Sequence, residues 1–446
     1  MLETSLLYVP IGRTTFDLAA GEQYRQQSAV WLQDQCTVVQ QPEKIITSVA
    51  ELEDFLLSMK DYPFDTVLYQ SVTFADGEFI EKVLKHFQIP VVVWSVREPS
   101  VGGRLRLNSL TGGNSTCNVL RNHRHPFSFV FGNPEEKQLQ TRLLRQFQVN
   151  RVIRKLKQLT VGVIGDHPPG FFFSSANEEK LQQIFGVNIH KMDLYQAFAE
   201  CVKLPQDQWM NTLELAETKV VGLNRTDETV QKFAQFASYV QSYIQDHNIQ
   251  ALAVRCWPDF FNELGAAACS TLSHLTEYGV VSSCESDIHG SISMFLLREL
   301  SSGSAPYLGD LVHIDEANNS VVFWHCGAGA YSLAHPATGA QAGVHPNRKI
   351  GMTMEFGLKP GEVTIFRLGF TPDGYRLLVM KGKAVDSPQP FSGTSVEVAL
   401  TTEVTETVYK LMNEGFEPHY ALVYADVTKA LIELGRQLGI ETIVFV

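Results

Sequence analysis

Apolar positions recur at two spacings along this chain, and the alternation between them predicts its architecture. Ser48–Met59 (SVAELEDFLLSM) and Asp76–Phe87 carry apolar residues at helical period, the first opening on a Ser cap followed by acids. Between and after them lie short apolar, β-branched runs at Leu6–Pro10, Asp65–Tyr69, Pro90–Ser95 (PVVVWS) and Phe127–Phe131, each sized for a buried strand. A basic amphipathic helix over Gln140–Lys157 leads into a second set: strands at Thr160–Gly165, Lys219–Leu223, Ala251–Val254 and Val280–Cys284, with helices at Asn177–Phe185 and Asp259–Leu275. Thr226 is the expected cap of a long helix ending near His247. Strand and helix in strict alternation predict parallel sheets with helices on both faces.

From about Asn319 the period changes. Ile350–Phe356, Glu362–Phe370, Tyr375–Lys381 and Ser395–Thr401 are short runs separated by turn signals (KPGE, TPDG, SPQPFSG), which predicts an antiparallel module of small-barrel type. A loop through Glu417-Pro418-His419-Tyr420, a helix over Val427–Leu438 and a strand over Glu441–Val446 complete the chain. The expected fold class is therefore α/β: two doubly wound parallel-sheet domains, 1–157 and 158–318, and a C-terminal antiparallel β-barrel-like domain, 319–446.

Composition narrows the function classes. A net charge of −12, with no basic tract, argues against nucleic acid as a partner. No segment is apolar enough to span a bilayer and MLETSLLYVPIGR has no signal-peptide pattern, so a soluble, cytoplasmic protein is expected. Seven scattered cysteines without a CxxC pair suit reduced, inert thiols. Phosphate-loop, GxSxG and HExxH motifs are absent.

The chemistry-bearing stretch is Val254–Gly290. Glu263 opens the expected helix, and Asp287 lies just past the carboxyl end of the following strand, the end at which α/β sheets collect ligands. Each has an ordinary alternative: Glu263 as an acid favoured in a first turn, Asp287 as the cap of a helix starting near His289. Paired on one strand–helix unit, they suggest a hard cation or acid–base work, with Glu285 able to stand in for Asp287. Arg255 and Trp257 are placed to clamp and stack on a polar ligand. Taken singly, His419 reads as a surface residue and His325 as a core residue.

The segments QSVTFADGE (70–78), VVVWSVREP (91–99), LNSLTGGN (107–114), RCWPDFFNELG (255–265), CESDIHG (284–290) and EPHYALVYADV (417–427) occur in an order that resembles the L-fucose/L-arabinose isomerase superfamily over most of the chain. The resemblance implies a metal-dependent aldose–ketose isomerase using Mn²⁺ or another divalent ion, with Glu263, Asp287 and His419 as metal ligands and Glu263 and Asp287 as the acid–base pair. It also implies substrate contacts from Arg97, Asn108, Asn114, Arg255, Trp257 and His325. A homo-oligomer, trimer or hexamer, is expected, with a small sugar as the only other partner. The arginines suit an anionic sugar substituted at C6, as in family members acting on sulfoquinovose. Deoxyhexoses and pentoses remain open as substrates. A non-catalytic sugar-binding protein and a metal-dependent sugar epimerase are the competing classes.

Overall fold

The computed structural model describes residues 2–446. They form two compact units, residues 2–154 with Glu433–Gly439, and Lys155–Ile432 with Ile440–Val446.

The first unit is built on five parallel strands, β1 (Leu2–Ile11), β2 (Cys36–Gln40), β3 (Thr66–Ser71), β4 (Val91–Ser95) and β5 (Phe127–Phe131), in the order β2-β1-β3-β4-β5. Every residue of β3 and β4 is buried, as near-continuous apolar strings require in a sheet covered on both faces. The flanking helices start where their caps dictate. Ser48 and Glu51 close a capping box at the head of Val49–Ser58, and Asp76 caps Gly77–His86.

In the second unit β6 (Thr160–Ile164), β7 (Asn188–Met192), β9 (Ala251–Val254) and β10 (Val281–Cys284) make a parallel sheet in the order β10-β9-β6-β7. The run expected as a strand at Lys219–Leu223 is reduced to β8 (Val220–Val221), which pairs outside this sheet. β11 (Tyr307–Asp315), β12 (Ser320–His325), β15 (Gly361–Thr371), β16 (Gly374–Ala384), β17 (Thr394–Leu400) and β18 (His419–Val423) close an antiparallel barrel of six strands through the β16–β17 pairing. Closure brings β16 and β17 very near each other at Gly382, where a Cβ would lie 2.7 Å from the Ala399 carbonyl oxygen. β13 (Ala340–Gly343) and β14 (Thr353–Gly357) extend the barrel sheet from β17 and bind β8, while β19 (Glu441–Phe445) pairs with β16.

The architecture is thus two parallel α/β sheets plus a C-terminal barrel. The segments expected as separate central and C-terminal domains share one compact unit, because helix Ile288–Leu300 is buried on nearly all sides and packs against the barrel. Its Ser293 hydroxyl accepts a 2.9 Å bond from the Leu368 N–H on β15. No described helix is long and apolar enough to cross a membrane.

Candidate active site

The site is assembled at the carboxyl end of β10, where the chain makes an abrupt turn. Glu285 and Ser286 both have positive φ (58° and 54°), a left-handed conformation that non-glycine residues adopt at a cost. The turn is held by the Ser286 N–H on the Val254 carbonyl and the Asp287 N–H on the Cys284 carbonyl, 3.1 and 3.0 Å. It aims Glu285 into a cavity of about 280 Å³ also lined by Asp310, His325, Cys326, Trp257, Phe261 and Arg348, among others.

Asp287 begins helix Ile288–Leu300 as its cap, accepting from the Gly290 N–H at 2.9 Å. A side chain at 290 would collide with that carboxylate, its Cβ 2.4 Å from Oδ2. The carboxylate is fully buried and receives two further bonds from Arg367 on β15, 2.6 Å from Nη1 and 3.1 Å from Nη2. Its Oδ2 also lies 2.9 Å from His419 Nδ1. Burial alone would raise its pKa, yet the Arg367 guanidinium and the His419 bond hold it well below the usual carboxylate range. Its four bonds hold Asp287, Arg367 and His419 in fixed relation to one another.

His419 is the first residue of β18 and not a loop residue. With Nδ1 on Asp287, its Nε2 is buried and makes no hydrogen bond. It points toward Glu285 Oε2 at 3.3 Å and Asp310 Oδ1 at 3.5 Å. Burial opposes charge on the ring, but the bond to Asp287 and the nearby carboxylates of Glu285 and Asp310 outweigh it and lift the imidazole to about 10. Asp310, whose carboxyl is raised by burial, comes from β11 and pairs in register with His419 across the sheet. His325, at the end of β12, is buried nearby with Nε2 also unpartnered, its ring 5.8 Å from that of His419.

Glu263 stands elsewhere. The expected continuous helix over Asp259–Leu275 is interrupted: Phe260–Leu264 forms one π-helical turn, Gly265 takes φ +70°, and a separate helix begins at Cys269. Glu263 is left exposed on that turn, with no hydrogen bond or ion pair among the described residues. The Tyr195 phenol is raised chiefly by its bond to Asp259, with Glu263 adding a smaller share. Of the three expected ligands, then, the structure brings Asp287 and His419 together and leaves Glu263 out.

The expected substrate contacts divide similarly. Trp257 and His325 line the Glu285 cavity. Arg255 is tied to Asp259 at 2.6 Å and faces a different cavity, of about 380 Å³, with Lys191 and Tyr195. In the first unit Arg97 is bound by Glu136 at 2.6 Å and lies over the Phe131 ring, Asn108 donates its N–H to Glu98, and Asn114 lines an apolar cavity with Phe127 and Phe129. Sequence reasoning missed Asp310 and Arg348. Asp310 sits mid-strand in YLGDLVHID, a polar residue inside an alternating run, which is the signal that was there to be read.

The cysteines also gather. Cys256 and Cys284 approach to 2.9 Å and Cys269 and Cys326 to 3.7 Å, and all seven are free thiols. Bonds from the Cys269 and Cys284 thiols, with the adjacent His325, hold Cys326 well below the ordinary thiol range.

Comparison with known proteins agrees with this geometry. Residues 346–445 match the L-fucose isomerase C-terminal domain, which covers much of the barrel and His419. A sulfoquinovose isomerase of Priestia megaterium is 68% identical over 446 residues, all of both chains. One from Alkalicoccus urumqiensis is 57% identical over 439 residues, 98% of this chain and 99% of its own, and one from a Clostridium species is 37% identical over 450 aligned positions, all of both. The fold, the site at the carboxyl end of β10 and these full-length relatives together place the chain in the fucose isomerase-like family of aldose–ketose isomerases.

Proposed function

We propose that this isomerase acts on a C6-sulfonated hexose of the sulfoquinovose type and requires a divalent cation, Mn²⁺ or a similar ion, held by Glu285, Asp310 and His419. The observation that carries the metal reading is the His419 Nε2 atom, buried, without a hydrogen bond, and facing two carboxylates at 3.3 and 3.5 Å. Two carboxylates and an imidazole nitrogen facing one another in this way are the donor types that would hold a hard dication. Glu263 and Asp287 leave the proposed ligand set, and Asp287 becomes the group that holds His419 Nδ1 and turns Nε2 toward Glu285 and Asp310.

An aldose–ketose interconversion carries one proton between C1 and C2 and another between their oxygens. The cation, when bound, supplies positive charge against the negative charge that develops on those oxygens. Glu285 and Asp310 are the carboxylates lining the cavity and carry the protons. Trp257 and Phe261 form an apolar wall that limits water at the reacting carbons. Arg348 lines the same cavity, lies 5.6 Å from the Trp257 ring centroid, and makes no ion pair among the described residues. An unpaired guanidinium there suits a sulfonate, whose oxygens accept its forked donors. The relatives named as sulfoquinovose isomerases, similar over their whole length, support the same substrate.

The test is ketose formation from sulfoquinovose and from unsubstituted glucose, by NMR, with chelator-stripped and Mn²⁺-reloaded protein. Mn²⁺-dependent turnover that prefers the sulfonated sugar, and a KM raised at least tenfold in Arg348→Met, are expected. Full activity after stripping contradicts the metal assignment, and equal use of glucose contradicts the substrate. A homo-oligomer, trimer or hexamer, is proposed on the family resemblance and is checked by light scattering.

A further inference from the structure

Beside the three proposed hard-cation ligands, the same cavity holds a donor set of different chemistry. Cys269, Cys326 and His345 each offer a ligand atom, and the three lie within 4.8 Å of one another. All three line the cavity into which Glu285 and Asp310 face. We propose that they form a second metal site, selective for a soft or borderline dication of the Zn²⁺ class, with its fourth position open to the cavity.

The spacing argues for it. Two thiolates bound to one tetrahedral ion at about 2.3 Å stand roughly 3.8 Å apart, and Cys269 Sγ and Cys326 Sγ are 3.7 Å apart. Cys256 and Cys284, at 2.9 Å, are too close for that geometry. Cys269 is buried at the start of helix Cys269–Glu277, so its sulfur is fixed, while Cys326 and His345 are half-buried and reachable from the cavity. His345 Nδ1 accepts only long bonds, 3.3 Å each, from the backbone N–H groups of Asn347 and Arg348, and has no strong partner to lose. Thiols and an imidazole discriminate against Mn²⁺ and Mg²⁺, which favour oxygen donors, and so keep this site distinct from the carboxylate site. Binding forms two metal–sulfur bonds, and each thiol that still carries its proton releases it to solvent. A cation so held fills part of the space proposed for the sugar, so Zn²⁺ is expected to inhibit, and chelation followed by reloading with Mn²⁺ to restore turnover.

The experiment is a Cd²⁺ titration of the full chain, reduced and kept in excess Mn²⁺, followed by the ultraviolet sulfur-to-cadmium charge-transfer band and by cadmium NMR. One equivalent of Cd²⁺ with a two-sulfur, one-nitrogen environment is expected. Cys326→Ser and Cys269→Ser should each remove at least half of the band, Cys36→Ser should keep it, and His345→Gln should weaken Cd²⁺ binding at least tenfold. No band in the wild-type protein overturns the proposal without touching the isomerase reading. So does a band that survives in Cys326→Ser and disappears in Cys256→Ser. Should Cys269→Ser fail to fold, Cys326→Ser and the wild-type spectrum decide alone.

Discussion

Asp287→Asn separates a ligand from a group that positions one. In the structure the Asp287 carboxylate caps a helix, accepts two bonds from buried Arg367 and orients His419, and no other described group faces Arg367 so closely. The amide keeps the shape and one oxygen acceptor but removes the charge. A fully buried guanidinium that loses its carboxylate costs about 3–5 kcal/mol, the range for breaking one side of a buried pair. Glu417, whose Oε2 is 3.7 Å from Arg367 Nε, offsets part of that, so a loss near the lower bound is expected in urea unfolding at pH 7. On the functional side, removing the partner that orients a metal-bound imidazole typically weakens the metal 10–100-fold. The assay is a Mn²⁺ titration of ketose formation, with circular dichroism to confirm folding. The positioning role predicts a half-saturation shifted upward by that factor and substantial turnover recovered at saturating Mn²⁺. Turnover that stays absent at every Mn²⁺ concentration in a folded variant would make Asp287 a ligand or catalyst and refute the reasoning. Wild-type affinity and stability would refute it equally.

Other outcomes follow from the same geometry. Glu263→Gln, on the exposed π-helical turn, is expected to keep turnover within a few-fold, whereas Glu285→Gln and Asp310→Asn should each lower kcat by about 10²–10⁴ at saturating Mn²⁺. A Glu263→Gln variant that is dead but folded would restore that residue to the site. His274 is buried, its proton affinity lowered to about 4 by desolvation against about 6.5 in the unfolded chain. The unfolded state therefore binds more protons between those values, and stability is present above about 6.5 and lost as pH falls toward 4. Between pH 6.5 and 5 this amounts to about 2 kcal/mol, which unfolding curves of His274→Gln should be missing while the similar contribution of buried His289, also lowered to about 4, remains. Gly382→Ala should destabilise the second unit by about 1–3 kcal/mol, because the added methyl meets the Ala399 carbonyl at 2.7 Å across the barrel seam; an unchanged unfolding midpoint would show that β16 and β17 can part there.

Local rules made much of the scaffold legible. The capping box at Ser48 and Glu51 and the buried strings of β3 and β4 are decided by neighbours in sequence, and they appear where the pattern puts them. The cap of the long helix Glu228–Asp246 moved one place, from Thr226 to Asp227, since both side chains suit the position and only the tertiary path chooses. What escaped the sequence depends on distant pairing. His419 looks like a loop residue after Pro418, but β18 forms because β11 and β15 flank it on the barrel. That pairing sets Asp310 opposite His419, a relation invisible at a separation of more than a hundred residues. Glu285 and Asp287 straddle Ser286, and periodicity could not decide between them. The left-handed turn at 285–286 does, sending Glu285 to the cavity and Asp287 into the helix cap. Glu263 lies on an exposed turn because Gly265 breaks the helix that was expected to carry it inward.

The most direct test is a crystal structure of the Mn²⁺-loaded protein, with an anomalous difference map at the manganese absorption edge. The account predicts one peak within bonding distance of Glu285, Asp310 and His419 Nε2, with Asp287 still on His419 Nδ1. A peak bound by Glu263, or by the Asp287 carboxylate in place of Glu285, would contradict it.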